Sequence, residues 1–169
     1  MTPKPRFAQL TIDLHVATVV GVGLLPLAPG TWASLAVMII AWIVGSSIYT
    51  MIGFGLLAIL SAIAGFVSIR RVQDEWGVDP GFVVIDEVCG MAVVFCTPLA
   101  TSSIAWIIAS FLLFRMYDIA KPWPIGLVNA RTDAFSVVFD DVLAALFTII
   151  SIYAFQFVVN LGILTLLVR

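Results

Sequence analysis

Three stretches of this chain carry no charged side chain: Trp32 to Ile69, Val88 to Phe114 and Val142 to Val168. Each exceeds the ~20 residues that cross a bilayer core as a helix. A soluble domain usually has about 25% charged residues, whereas here 11% are charged and 62% hydrophobic. The fold class this predicts is all-α, a polytopic membrane helical bundle.

Turn-forming residues divide the apolar sequence. Thr31 suits the N-cap of a first span, Trp32 to Ile48, because Pro26, Pro29 and Gly30 interrupt any helix before it. Met51 to Ile69 forms a second span that stops at Arg70-Arg71, and Asp79-Pro80-Gly81 turns the chain into a third, Phe82 to Phe95. Ile104 to Met116 and Val137 to about Val158 complete the set. The third and fourth are short enough to be re-entrant, so the expectation is four to five spans or re-entrant helices. Residues 1–30 read as a cytoplasmic or interfacial arm ending in a Pro-Gly loop, with a short amphipathic helix through Phe7, Leu10 and Leu14, and residues 31–169 as one transmembrane helical domain. Lys4 and Arg6 precede an apolar stretch, but Asp13, His15 and the Pro26–Gly30 run argue against a removed signal peptide.

With the N-terminus inside, five spans place Lys4, Arg6, Arg70, Arg71, Arg115, Lys121 and Arg131 on the cytoplasmic side and only Arg169 outside. A net charge of −2 excludes the basic surface of a nucleic-acid-binding protein. The two cysteines, Cys89 and Cys96, lie in an apolar run and read as small buried hydrophobes. Trp123, between two prolines, suits a headgroup-level anchor.

The same orientation gathers the acids. Asp79, Asp86, Glu87, Asp118, Asp133, Asp140 and Asp141 all fall at cytoplasmic ends of their segments. Asp86-Glu87 and Asp140-Asp141 are expected in the first turns of the third and fifth spans, where helix N-termini favour anions. Val83-Val84-Ile85-Asp86-Glu87-Val88 and Val137-Val138-Phe139-Asp140-Asp141-Val142 share one pattern and enter from the same side. Carboxylate pairs near a bilayer need compensation, and hard oxygen ligands suit Mg²⁺. Asp86, Glu87, Asp140 and Asp141 are the candidate catalytic and metal-binding acids, with Asp79 and Asp118 as further metal candidates; because neighbouring helical residues diverge by about 100°, one member of each pair can bind the metal while the other orients water or accepts a hydrogen bond. Arg115 and Lys121 suit phosphate oxygens, and Thr31 and Ser34 offer hydroxyl or backbone donors. This is equipment for phosphoryl-group hydrolysis at a membrane surface. His15 reads as a solvated or capping residue. An ion- or proton-coupled transporter is the competing reading of intramembrane acids, although no strong acid or base stands in the outer half of any span to complete a relay; a catalytically idle scaffold is the other.

Four ordered blocks carry a family resemblance: Gly23-Leu24-Leu25-Pro26-Leu27-Ala28-Pro29-Gly30-Thr31-Trp32-Ala33-Ser34, Asp79 through Met91, Phe114-Arg115-Met116-Tyr117-Asp118-Ile119-Ala120-Lys121-Pro122-Trp123-Pro124-Ile125, and Asp140-Asp141-Val142. In order and spacing, across about residues 21–145, they resemble phosphatidylglycerophosphatase A. The resemblance implies a Mg²⁺-dependent enzyme of the bacterial inner membrane, with a phospholipid substrate and a cytoplasmic site, that converts phosphatidylglycerophosphate to phosphatidylglycerol and inorganic phosphate. Two departures stand out. Ala33 replaces a glycine of the usual Gly-Thr-x-Gly-Ser, and Asp133-Ala134-Phe135-Ser136 stands where a Gly-Gly-x-Gly run is common, so that loop is expected to take another path.

Overall fold

The structure, a computed structural model, describes Pro5, residues 11–78 and residues 80–167. The expectations for Lys4, Arg6, Phe7, Leu10, Asp79 and Arg169 lie outside the described residues. Among the described residues every regular element is helical: α1 (Ile12–Ala17), a 3₁₀ turn (Val22–Leu24), α2 (Pro29–Val44), α3 (Ile48–Trp76), α4 (Ile85–Phe95), α5 (Pro98–Thr101), α6 (Ile104–Ala120), α7 (Ile125–Asn129) and α8 (Ala134–Leu167).

Local chemistry sets the boundaries. Ser47 and Ser103 cap α3 and α6 by accepting from the N–H groups of Thr50 and Trp106. α2 begins at Pro29, with Ala28 as its N-cap in a left-handed conformation. Thr31 is thus inside the first turn and is not the cap: proline, lacking an N–H, fits the first helical position. α3 does not stop at Arg70-Arg71 but continues to Trp76, because charged side chains leave a helix intact. Gly77, at φ 95°, ends it. α6 likewise runs past Met116 to Ala120.

The third expected span differs most. α4 has 11 residues, about 16 Å at 1.5 Å per residue, against a hydrocarbon core of about 30 Å. It is the central helix of the bundle, packed against α2, α3 and α8, with Val88, Cys89, Met91, Ala92, Val94 and Phe95 all buried. A β-carbon at Gly90 would come within 2.6 Å of the Phe114 ring and 3.0 Å of the Asp141 carbonyl oxygen, so glycine is what lets α4 approach α6 and α8.

Two helices are long and apolar enough to cross a membrane, α3 and, in α8, Ala134–Ile163. Their apolar side chains are largely outward: Ile59, Leu60 and Ile63 on α3 and Ile150, Phe155 and Phe157 on α8 are exposed, as are Trp42 and Ile43 on α2. Such a continuous apolar exterior is foreign to a water-facing surface. The Thr101 hydroxyl donates to Ser46 Oγ at 3.1 Å, joining the α2–α3 and α5 turns at one end of the bundle. The acids gather at the other. At that end α1 buries Leu14 and Ala17 in a cluster with Ile69, Val72 and Phe82, and Asp13 pairs with Arg71 at 3.0 Å.

Candidate active site

A cavity of about 270 Å³ opens at the acidic end of the bundle, where the starts of α2 and α4 meet the end of α6 and the early turns of α8. Five carboxylates line it, Asp86, Glu87, Asp118, Asp140 and Asp141, against two cations, Arg115 and Lys121. All seven are sequence-predicted site residues, brought together from three helices: α4, α6 with its C-cap Lys121, and α8. Asp86, Asp118, Asp140 and Asp141 are each less than a tenth exposed.

The five acids have different partners. Asp86, Glu87 and Asp141 each present an oxygen within 4.8 Å of the others, and Glu87 Oε2 and Asp141 Oδ2 are buried without a hydrogen-bond partner. Asp118 instead receives Arg115 at 2.6 Å and Lys121 at 3.4 Å. Asp140 is engaged by Lys121 Nζ through Oδ2 and by the Asp141 N–H at 3.1 Å through Oδ1. Of the four candidate acids, three converge, while Asp140 faces a lysine. Adjacent helical residues diverge by about 100°, which aims the two members of the pair at different neighbours.

The setting of the two acidic pairs also differs from expectation. Asp86 and Glu87 do occupy the first turn of α4. Asp140 and Asp141 are the seventh and eighth residues of α8, past the first four N–H groups that a helix leaves unbonded. The repeated hexapeptide thus spans a helix start in one copy and a helix interior in the other.

Arg115 reaches across to α2. Its Nη1 donates to Ser34 Oγ at 3.4 Å, Ser34 in turn donates to the Gly30 carbonyl at 2.9 Å, and Glu87 lies 3.7 Å from the guanidinium. Ser34 is therefore a support for Arg115. Thr31 is half-buried, and its N–H is given to the Ala28 carbonyl at 2.9 Å. For Lys121, burial works against the charge, but the hydrogen bond to Asp140 and the charges of Asp140, Asp141 and Asp118 outweigh it and hold the ammonium above the ordinary lysine range.

Two backbone features escaped the sequence reading. Gly30 contacts Glu87 so closely that any side chain there would have to displace the Glu87 carboxylate, and its signal was the Pro-Gly pair itself. Ala28 (φ 45°) and Lys121 (φ 42°) both hold left-handed conformations directly before a proline, and both line the cavity. An L-residue there costs about 1–2 kcal/mol, and such strain concentrates at functional sites. His15 bonds locally to the Thr11 carbonyl through Nδ1 at 3.0 Å, and Trp123 is exposed. Asp133 pairs with Arg131 at 3.3 Å, outside the cavity wall.

The donor set fits a divalent cation. Hard carboxylate oxygens converge, Glu87 and Asp141 each keep one buried oxygen without a hydrogen-bond partner, and the excess of negative charge would repel a phosphate unless a cation offset it.

Residues 15–156 match the family described as phosphatidylglycerophosphatase A. A phosphatidylglycerophosphatase A of Haemophilus influenzae is 35% identical over 155 residues, covering 88% of this chain and 92% of the relative. The Escherichia coli protein of that name is 30% identical over 147 residues, covering 86% and 84%. A putative phosphatidylinositol-3-phosphatase of Bacteroides thetaiotaomicron is 32% identical over 165 residues, covering 93% and 99%. No solved structure matches the chain significantly. An all-helical fold with this carboxylate and cation cavity, together with these relatives, defines a phosphoric monoester hydrolase. The chain belongs to the phosphatidylglycerophosphatase A family.

Proposed function

We propose that the chain hydrolyses phosphatidylglycerophosphate to phosphatidylglycerol and inorganic phosphate with Mg²⁺, at the cytoplasmic face of the bacterial inner membrane. The observation that carries the reading is the convergence of Asp86, Glu87 and Asp141 within 4.8 Å, in one cavity with Arg115 and Lys121. The names of the relatives supply the substrate.

Asp86, Glu87 and Asp141 hold the metal in this reading. When bound, Mg²⁺ supplies Lewis-acid polarisation of a phosphoryl oxygen and offsets the charge that two anionic partners bring together. Arg115 and Lys121 bind peripheral phosphoryl oxygens and orient the ester. The starts of α2 and α4 add favourable dipole ends. Water is the nucleophile: its oxygen bonds to phosphorus, a carboxylate of the site takes one of its protons, and the P–O bond to glycerol breaks as that carboxyl group returns the proton to the leaving oxygen, giving the lipid alcohol.

The bundle is read as multi-pass, with the acidic end in the cytoplasm. The sidedness of Lys and Arg supports this, as does the joining of the charge-free turns through Ser46 and Thr101 at the opposite end. α2, α3, α4 with α5, α6 and α8 then make the four to five passes, in one catalytic domain over residues 31–169 that carries the first 30 residues as a cytoplasmic arm.

The test is phosphate release by purified protein from phosphatidylglycerophosphate in mixed micelles, with and without Mg²⁺, against phosphatidylinositol 3-phosphate as competitor. Mg²⁺-dependent turnover of the first supports the proposal. Folded protein with no release, or with ion flux in proteoliposomes and no release, sinks it. Incorporation of one ¹⁸O from labelled water, with no trapped phosphoryl-enzyme, is the expected signature of direct attack.

A further inference from the structure

The adjacent carboxylates Asp140 and Asp141 point to different work. Asp141 faces Asp86 and Glu87 and keeps a buried oxygen without a hydrogen-bond partner. Asp140 has both oxygens engaged, Oδ2 by Lys121 Nζ and Oδ1 by the Asp141 N–H at 3.1 Å. Its side chain is 4% exposed, so water does little to satisfy it, and the three-acid grouping forms without it.

Lys121 needs such a partner. It caps the C-terminus of α6 in a left-handed conformation, φ 42° and ψ 55°, directly before Pro122, where the chain leaves the helix. A long, flexible side chain at such a corner has many rotamers available and loses them only if something fixes its end. Asp140, from another helix, and Asp118, one turn back on α6 at 3.4 Å, fix it. Asp118 also holds Arg115 at 2.6 Å, so the two cations share one carboxylate and Asp140 secures the second of them.

We infer that Asp140 is a positioning residue for Lys121, aiming its ammonium at the phosphoryl subsite, and is not a ligand of the metal. This rests on the phosphatase reading above. It divides the Asp140-Asp141 pair into a ligand and a lysine clamp.

The test compares Asp140→Asn, Lys121→Met, the double variant and Asp141→Asn in detergent-solubilised full-length protein, using Mn²⁺ binding by EPR and steady-state phosphate release. Asp140→Asn is expected to raise KM and the inhibition constant of inorganic phosphate by about tenfold or more, the loss typical of one charge-assisted hydrogen bond, and to leave Mn²⁺ affinity within about threefold. Asp141→Asn is expected to weaken Mn²⁺ binding by more than about tenfold. Because Asp140 acts through Lys121, the double variant should be no worse than Lys121→Met alone. Losses that multiply in the double variant, or Mn²⁺ binding that collapses in Asp140→Asn, overturn the inference. Asp140→Glu, which keeps the charge but lengthens the arm, carries the same readings should the Asn variant not fold. Absence of phosphate release in the wild type would count against the phosphatase reading, while the Mn²⁺ comparison would still decide whether Asp140 is a ligand.

Discussion

Gly30 and Glu87 are in contact so close that a β-carbon at Gly30 would stand 1.7 Å from Glu87 Oε1. The first turns of α2 and α4 therefore meet through one carboxylate, in the position where a helix N-terminus favours an anion. Gly30→Ala must displace the Glu87 carboxylate from its present place beside Asp86 and Asp141. A displacement of about 1 Å at a reacting centre can cost about a hundredfold in rate, and a loss of that size in kcat/KM is expected for this variant. Near wild-type turnover would mean that Glu87 can swing aside without consequence.

Asp86→Asn and Asp141→Asn trade function for stability. Each takes a carboxyl group out of a crowded, buried group of acids, so metal-free protein should melt higher than wild type while phosphate release is abolished. Added Mg²⁺ should reverse the order. A ligand that binds only the folded state at a hundredfold excess over its Kd stabilises by about 2.7 kcal/mol, and wild type should gain this while Asp141→Asn gains little. Thermal unfolding in detergent with and without Mg²⁺ makes the comparison. Equal Mg²⁺ shifts in both proteins would remove Asp141 from the ligand set.

How much was legible in the sequence follows from what each signal encodes. The gathering of Asp86, Glu87 and Asp141 was legible because carboxylates at the edge of an apolar run are costly and need a reason. Asp140 was readable as part of the site but not in its partner, since helical periodicity separates neighbours by angle without saying which one meets Lys121. The central position of α4 was hidden for another reason. Apolar composition reports burial and does not distinguish protein from lipid, so nothing in Phe82 to Phe95 marked α4 as the helix the others surround. The start of α2 was misread at Thr31 because the actual cap, Ala28, holds a left-handed conformation that alanine rarely adopts.

Lys121 should contribute independently of pH across the working range. Its folded pKa lies above that of a free lysine, so its stabilising effect is fully present below the unfolded value, about 10.4, and is lost only as pH rises through the folded value. The loss of activity in Lys121→Met is accordingly expected to be the same factor at every pH from about 6 to 9. An effect that shrinks as pH rises within that window would mean the ammonium deprotonates there.

The Asp133-Ala134-Phe135-Ser136 segment, where the resemblance leads one to expect glycines, has become a capped helix start. Asp133 Oδ1 accepts from the Ser136 N–H at 3.1 Å, and Phe135 stacks on Phe139 with ring centroids 5.1 Å apart. The capping bond satisfies one of the N–H groups that the first turn of α8 leaves open, and Asp133 lies outside the cavity wall. Asp133→Ala should therefore cost about 1 kcal/mol of stability, and Asp133→Gly only about a few tenths, since glycine is itself a tolerated cap. Both should keep kcat close to wild type, read from phosphate release alongside thermal unfolding. A large fall in kcat with unchanged melting would show instead that the path of this segment, and not its stability, governs how Asp140 and Asp141 present themselves to the substrate.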